Sequence, residues 1–444
     1  MVTLKTLQNE CLTILAQTAI IALFLFRFMI DITQYLHCIQ KQVFFRRARR
    51  TLPHIPIILL IFLSTNVVHA ERFVWFGSYT GKAPRGQGIY VSRYDETTGD
   101  ISQPDVACTV KNPSFLAIHP TLAVVYAVSE IADLNGQPTG GIISFTIDME
   151  NGHLTQQSVQ PSNGKGPCHL SLDAQGTVLL AANYGSGSTL CLGLADDGSL
   201  LPLITHKKGA PGGFIQHTGK GPNKTRQETP HGHSINATPD SKFAISCDLG
   251  ADRVFIHKLD ASAASLAPHA SASTQPGGGP RHFALHPRLP FGYANNELDM
   301  TVTAFRFDAA KGNLKKIQSV STIPDSVQER NRFSTAEIAI HPSGRFLYVS
   351  NRGHDSISLF GINEQSGELT LKSVEPTHCQ TPRHFAIAPG GKRLYAAGQE
   401  SGTITGFTID PITGKLSFVN RIIKVPKPVC IVFSRPLSPG PEKP

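Results

Sequence analysis

A short unit recurs seven times along this chain, and that recurrence limits the fold more than any other feature. The segments PSFLAIHP from Pro113, PCHLSLDA from Pro167, GHSINATP from Gly232 and PRHFALHP from Pro280 are four copies. TAEIAIHP from Thr335, PRHFAIAP from Pro382 and PVCIVFSR from Pro428 are the others. Each reads as one short strand running into a turn. In most copies a second strand follows, such as TVLLAANY or RFLYVSNR, and then a third, such as MTVTAFRF or SISLFGI. A Gly-containing turn such as DDGSL or EQSGEL closes the unit. Successive starts lie 46 to 65 residues apart, room for four antiparallel strands and a variable loop. Such a blade cannot bury both faces alone, so neighbours must stack into a ring. The expected fold is all-β: a seven-bladed β-propeller with four-stranded blades.

The copy that begins at Pro428 has no room to finish. Its missing strands stand at the other end, in FVWFGSYT from Phe73 and GIYVSRYD from Gly88. Pairing of the N- and C-terminal strands would close the ring and remove an open edge. The propeller is therefore expected over residues 71–436, with a tail at 437–444 and a leader at 1–70.

The leader holds two apolar runs, Cys11 to Ile30 and Ile55 to Val68, separated by FFRRARR. The first is long enough to span a bilayer. The second, with basic residues before it and Val68-His69-Ala70 after it, has the layout of a secretory signal peptide. A cleaved signal peptide, an N-terminal membrane anchor and a start codon read too far upstream all stay open. The domain is expected to be exported, either periplasmic or anchored facing the periplasm.

Of the formal net charge of +9, the leader carries +5 and the rest only +4. That leaves no basic stripe for nucleic acid, but it suits a small anionic ligand. Six cysteines follow the leader, at 108, 168, 191, 247, 379 and 430, with no C-x-x-C pair. Thiolate metal binding is not expected, and the cysteines read as small buried residues. His231-Gly232-His233 lacks a third ligand at useful spacing. No phosphate loop, H-E-x-x-H or G-x-S-x-G pattern occurs. Neither metal nor cofactor is expected.

The register of the repeat predicts where chemistry gathers. A hairpin brings the start of the first strand beside the end of the second. The first position carries Ser114, Cys168, His233, Arg281, Ala336, Arg383 and Val429, followed in four copies by His169, His282, Glu337 and His384. The return position carries Glu130, Tyr184, Leu249, Glu297, Arg352 and Gln399. Arg, His and Glu are thus concentrated at two points of an otherwise apolar repeat, a rim suited to a small anion. His119, His286 and His341 fall in the turns of the opposite rim. The basic, Gly-rich insert from His206 to Thr229 precedes PHGHS and is expected to overhang the mouth.

The chain from Phe73 to Phe433 resembles the lactonase family of seven-bladed propellers, which groups bacterial 6-phosphogluconolactonases with fungal carboxy-muconate cyclases. The pieces that carry the likeness are GSYT at Gly77, NPSFLAIHP at Asn112, NYGSGS at Asn183, PHGHS at Pro230 and DLGADRV at Asp248. GPRHFALHP at Gly279, NELD at Asn296 and TPRHFAIAP at Thr381 complete the set. The resemblance implies that His233, Arg281, Glu297 and Arg352 are catalytic, with His231 the rival of His233. Glu297 or His233 would act as general base and acid, and the two arginines as anion clamps. His282, Glu337, Arg383 and Gln399, with His231, would line the substrate pocket. The implied activity is cofactor-free opening of a sugar-derived or carboxylated lactone. A non-enzymatic anion- or partner-binding propeller and a lactone-forming cyclase or isomerase are the alternatives. Arg281 and Glu297 also admit a purely structural reading as a rim salt bridge.

Overall fold

A computed structural model describes residues 71–81, 85–205 and 211–436. The readings made for the leader, the tail and residues 206–210 of the insert lie outside the described residues. The strands form seven four-stranded antiparallel sheets. Numbering the blades from Leu116, their innermost strands are Leu116–Ile118, Pro167–Leu172, Gly232–Ala237, Pro280–Leu285, Ser334–Ile340, Pro382–Ile387 and Pro428–Phe433. Each of these touches the next around the ring. The seventh blade is completed as the split repeat requires: Pro428–Phe433 pairs with Glu71–Ser78, Trp75 lying opposite Val432.

The second strand of a blade is covered on both faces. Val178–Asn183 and Phe291–Asn296 are buried at every position, so these runs lack the polar alternation of a half-exposed strand. Neighbouring blades are also joined by a repeated polar staple. In the turn after the innermost strand, the His119 Nδ1 accepts the N–H groups of Thr121 and Leu122. Its Nε2–H is then left to donate to the Gly176 carbonyl of the next blade at 3.0 Å. His286 and His341 repeat this toward Gly344 at 2.9 Å and Gly391 at 2.8 Å. These three histidines are turn residues on the rim opposite the mouth, as their place in the repeat suggests.

A second staple comes from the middle of the second strand. Tyr126, Tyr293, Tyr348 and Tyr395 donate their hydroxyls to the carbonyls of Gly198, Gly367, Gly414 and Gly99 in the next blade. Trp75 Nε1–H does the same to Gly152 in the blade that follows it. Tyr348→Phe keeps the ring and removes a 2.6 Å bond, leaving a carbonyl without its donor. We expect it to cost about 1 kcal/mol, read as a lower Tm. An unchanged Tm would show that the staple contributes nothing.

The insert departs from expectation in one respect. Phe214–Gln216 lies inside the stretch read as a rim loop, yet it forms the outer strand of the second blade, Thr189 opposite Ile215. The residues from His217 onward then travel to the mouth. His217 Nδ1 meets Asp248 Oδ2 at 2.7 Å, and Gln227 Nε2 donates to Asp252 Oδ1 at 2.6 Å. Asp252 also accepts the N–H groups of Gly277 and Gly279. It therefore ties the insert to the loop that leads into Arg281. Five of the six cysteines sit inside strands, and five are buried, as the sequence suggests.

Candidate active site at the mouth of the channel

The hairpin geometry read from the repeat is realised in backbone hydrogen bonds. The return residue donates its N–H to the carbonyl just before the starting Pro: Tyr184 to Gly166 at 2.9 Å, Glu297 to Gly279 at 2.7 Å and Gln399 to Thr381 at 3.0 Å. Tyr79 does the same to Lys427 at 3.1 Å. Most innermost strands also carry an irregularity at this point, between Pro167 and His169, Gly232 and Ser234, Pro280 and His282, Thr335 and Ile338, and Pro382 and His384. A bulge re-aims side chains that strict alternation would send to opposite faces. Here consecutive residues both turn to the channel: Arg281 Nη1 lies 3.2 Å from His282 Nε2.

Glu297 is the centre of the mouth. Its Oε2 accepts from Arg281 Nε at 3.0 Å and from Arg352 Nη2 at 2.9 Å. Its Oε1 accepts from Arg226 Nη2 at 2.7 Å. His233 Nε2 stands 3.9 Å from Oε2. Burial alone would raise the carboxyl's pKa, but Arg352, Arg281 and Arg226 outweigh it and hold the group well below the usual carboxylate range. Burial, reinforced by Arg281 and His282, pushes His233 well below the ordinary imidazole value, so it is neutral near pH 7. Arg352 is lowered to about 10 by burial, against the pull of Glu297.

The two histidines of PHGHS diverge. His233 faces the cluster, whereas His231 stacks on Tyr184, ring centroids 4.6 Å apart, and its Nδ1–H donates to the Tyr184 carbonyl at 2.9 Å. His231 forms mouth wall, and the pair does not point at a common ion. Cys168 lies beside His233, Sγ to Nδ1 3.7 Å. Burial pushes its thiol up, which leaves it a donor and no thiolate.

Arg383 differs from the other three mouth arginines. Its guanidinium lies 5.3 Å over the Tyr79 ring and has no hydrogen-bond acceptor or carboxylate partner among the described residues. Burial would lower its pKa, yet Tyr79, Glu130 and Glu297 nearby raise it, so it stays charged. Its open donors are available to an incoming anion.

His282 and Glu337 lie one layer deeper than the pocket wall foreseen for them. Arg281 can only donate, so His282 Nε2 accepts and its Nδ1–H donates to Glu337 Oε1 at 3.1 Å. His384 Nε2 stands 3.4 Å from Glu337 Oε2. Phe115 reaches across the channel to the rings of His169, His282 and His384, at 4.3, 5.8 and 5.7 Å. This layer floors the mouth. Below it, His169, His282 and Glu337 help line a cavity of about 490 Å³ that also touches Ile118, Leu172 and Asn236. Burial raises the Glu337 carboxyl, with His384 and Arg281 opposing. Gln399 does not join the Glu297 cluster; it lines a neighbouring cavity with Tyr79 and Glu130.

Two site residues were not legible in the repeat. Arg226 belongs to the insert, outside any copy, and only the Asp252 and Asp248 anchors bring it to Glu297 and to the Tyr184 hydroxyl, 3.0 Å away. Tyr79 holds the return position of the seventh blade, which the split between the termini hides from residue counting.

The profile of the family described as "Lactonase, 7-bladed beta-propeller" matches residues 73–433. A 6-phosphogluconolactonase of Bacillus subtilis is 36% identical over 357 residues, covering 80% of this chain and 97% of the relative. A 6-phosphogluconolactonase of Formosa agariphila is 34% identical over 348 residues, 77% and 94% of the two chains. The solved structure of a periplasmic gluconolactonase from Pseudomonas aeruginosa superposes with a TM-score of 0.74 at 28% identity, covering 82% of this chain and all of that one. A repeat that closes into seven blades, a mouth built at its register points and a match over the whole ring agree: the chain belongs to the seven-bladed β-propeller lactonase family.

Proposed function

We propose that the mouth hydrolyses a sugar-derived lactone without a cofactor. The observation that carries this reading is the arrangement around Glu297: three guanidinium groups held on one carboxylate, a neutral imidazole 3.9 Å away and a fourth guanidinium with open donors. The relatives' names, 6-phosphogluconolactonase and gluconolactonase, support it.

Both oxygens of Glu297 already accept from arginines, and their charge makes the carboxylate a weak base. His233 is therefore the better base. Its imidazole takes a proton from water as the water oxygen bonds to the lactone carbonyl carbon. Negative charge then develops on the carbonyl oxygen, and Arg383 is placed to hold it. When the ring C–O bond breaks, the proton passes from His233 to the leaving alkoxide, giving a hydroxy acid. Glu297 stabilises the transient imidazolium and keeps Arg281 and Arg352 in place. Arg281 and Arg352 thus act first as supports of the carboxylate, and Arg383 takes over the role of anion clamp.

The test is a lactone panel, including D-glucono-δ-lactone with and without a 6-phosphate, followed by proton release in a pH-stat. Opening of no lactone above the uncatalysed rate would overturn the reading. A pH profile tests the base. Because the folded His233 pKa is depressed, the neutral form persists as pH falls through 6.5. We expect kcat/KM to hold its plateau to well below pH 6. An acid limb centred between pH 6 and 7 would remove His233 from that role.

We further propose that the domain works outside the cytoplasm, after export by the leader. The signal-peptide layout of residues 55–70 and the periplasmic relative support this. Fractionation of cells that produce the full chain, probed for the propeller, decides it.

A further inference from the structure

We propose that a subsite beside the mouth takes an uncharged, hydroxyl-rich group, so that the substrate is a sugar lactone bearing a further neutral sugar unit. This rests on the lactone reading above. The subsite is the cavity of about 360 Å³ at the junction of the sixth, seventh and first blades. Its volume falls in the range of small-ligand clefts, roughly 300–1,000 Å³. It adjoins the reacting centre, because Tyr79 forms its wall and Arg383 lies over the Tyr79 ring.

Its charges balance. Arg85 and Lys427 are matched by Glu130 and Glu400, and the remaining polar lining is Tyr79, Asn112 and Gln399. Lys427 Nζ is already spent on Glu400 Oε2 at 2.5 Å. A phosphate dianion placed here would face two carboxylates with little cationic surplus to offset them. A polyol meets what it needs. Glu130 and Glu400 accept from hydroxyls, and Glu130 is already oriented by the Tyr79 hydroxyl at 2.9 Å. Gln399 holds one of these carboxylates in place. Its Nε2 donates to Glu400 Oε1 at 2.8 Å, while its Oε1 is buried without a donor. The Gln399 amide thus orients Glu400 toward a ligand hydroxyl in the cavity.

The experiment compares kcat/KM of the full chain for D-glucono-δ-lactone, its 6-phosphate and cellobiono-δ-lactone. The disaccharide lactone is expected to exceed gluconolactone at least tenfold, and the 6-phosphate to bring no gain. Glu400→Gln and Gln399→Ala should each reduce the disaccharide-to-monosaccharide ratio at least fivefold. Equal values for the two uncharged lactones, a preference for the 6-phosphate, or a ratio unchanged in both variants would overturn the subsite. If no lactone opens, the failure belongs to the proposed reaction, and titration calorimetry decides the subsite alone. Cellobionate binding more tightly than gluconate, with the margin lost in Gln399→Ala, would uphold it; equal binding would sink it.

Discussion

Glu297→Gln is expected to lower kcat/KM by about 10²–10⁴-fold and to destabilise the fold by about 3–5 kcal/mol. The two losses share one cause. Glu297 is the counter-ion of Arg226, Arg281 and Arg352, and Arg281 is almost wholly buried. The amide keeps the shape of the carboxylate but not its charge. It leaves guanidinium groups packed together in a site with little water, and removing one partner of a buried ion pair is costly for that reason. The stability change has a pH signature. Because the folded carboxyl's pKa is depressed, its contribution is complete above the ordinary carboxylate range. It is lost only as pH falls through the folded value. Urea unfolding of wild type and variant at neutral pH measures the difference. Wild-type rates in Glu297→Gln would mean that the cluster is a rim salt bridge and the chemistry lies elsewhere.

Arg383→Met should separate activity from stability. We expect kcat/KM to fall about 10²–10³-fold, the range seen when a donor to a developing oxyanion is lost. Stability should change by no more than about 1 kcal/mol. Arg383 holds no carboxylate among the described residues, and its contact with the Tyr79 ring is of a kind worth about 0.5–1 kcal/mol when partly exposed. Met keeps apolar contact with that ring. Arg281→Met would instead strip a direct partner from Glu297 and lose both. If Arg383→Met retains full kcat/KM, the oxyanion is held by Arg281 or Arg352 and the assignment of roles must be reversed.

Much of the candidate site was legible because a propeller converts register into position. Once Pro280 and Asn296 are recognised as the two ends of one hairpin, Arg281 and Glu297 must lie side by side, and they do, at 3.0 Å. Arg352 joins them because its blade is the next one round. His119, His286 and His341 could be set apart from the mouth by the same counting. What counting could not supply is depth. The irregularity at the start of most innermost strands turns two consecutive residues toward the channel, so Arg281 reaches the mouth while His282 joins Glu337 in the floor. Nor could it show that three arginines share one carboxylate and that Arg383 is left over. That outcome depends on side-chain reach across blades.

The sequence by itself determined the ring: the number of blades, their strand order, the closure by Pro428–Phe433 against Glu71–Ser78, and the rim on which charged residues gather. These follow from local periodicity, and local periodicity is written in the order of residues. Only the tertiary structure decided which groups meet. Arg226 arrives from an insert that obeys no repeat, held by Asp252 through Gln227 and by Asp248 through His217. The weak basicity of Glu297 and the neutrality of His233 arise from burial and from charges on other blades. Such fields depend on distance in space, and residues far apart in the chain become close only when the ring has formed.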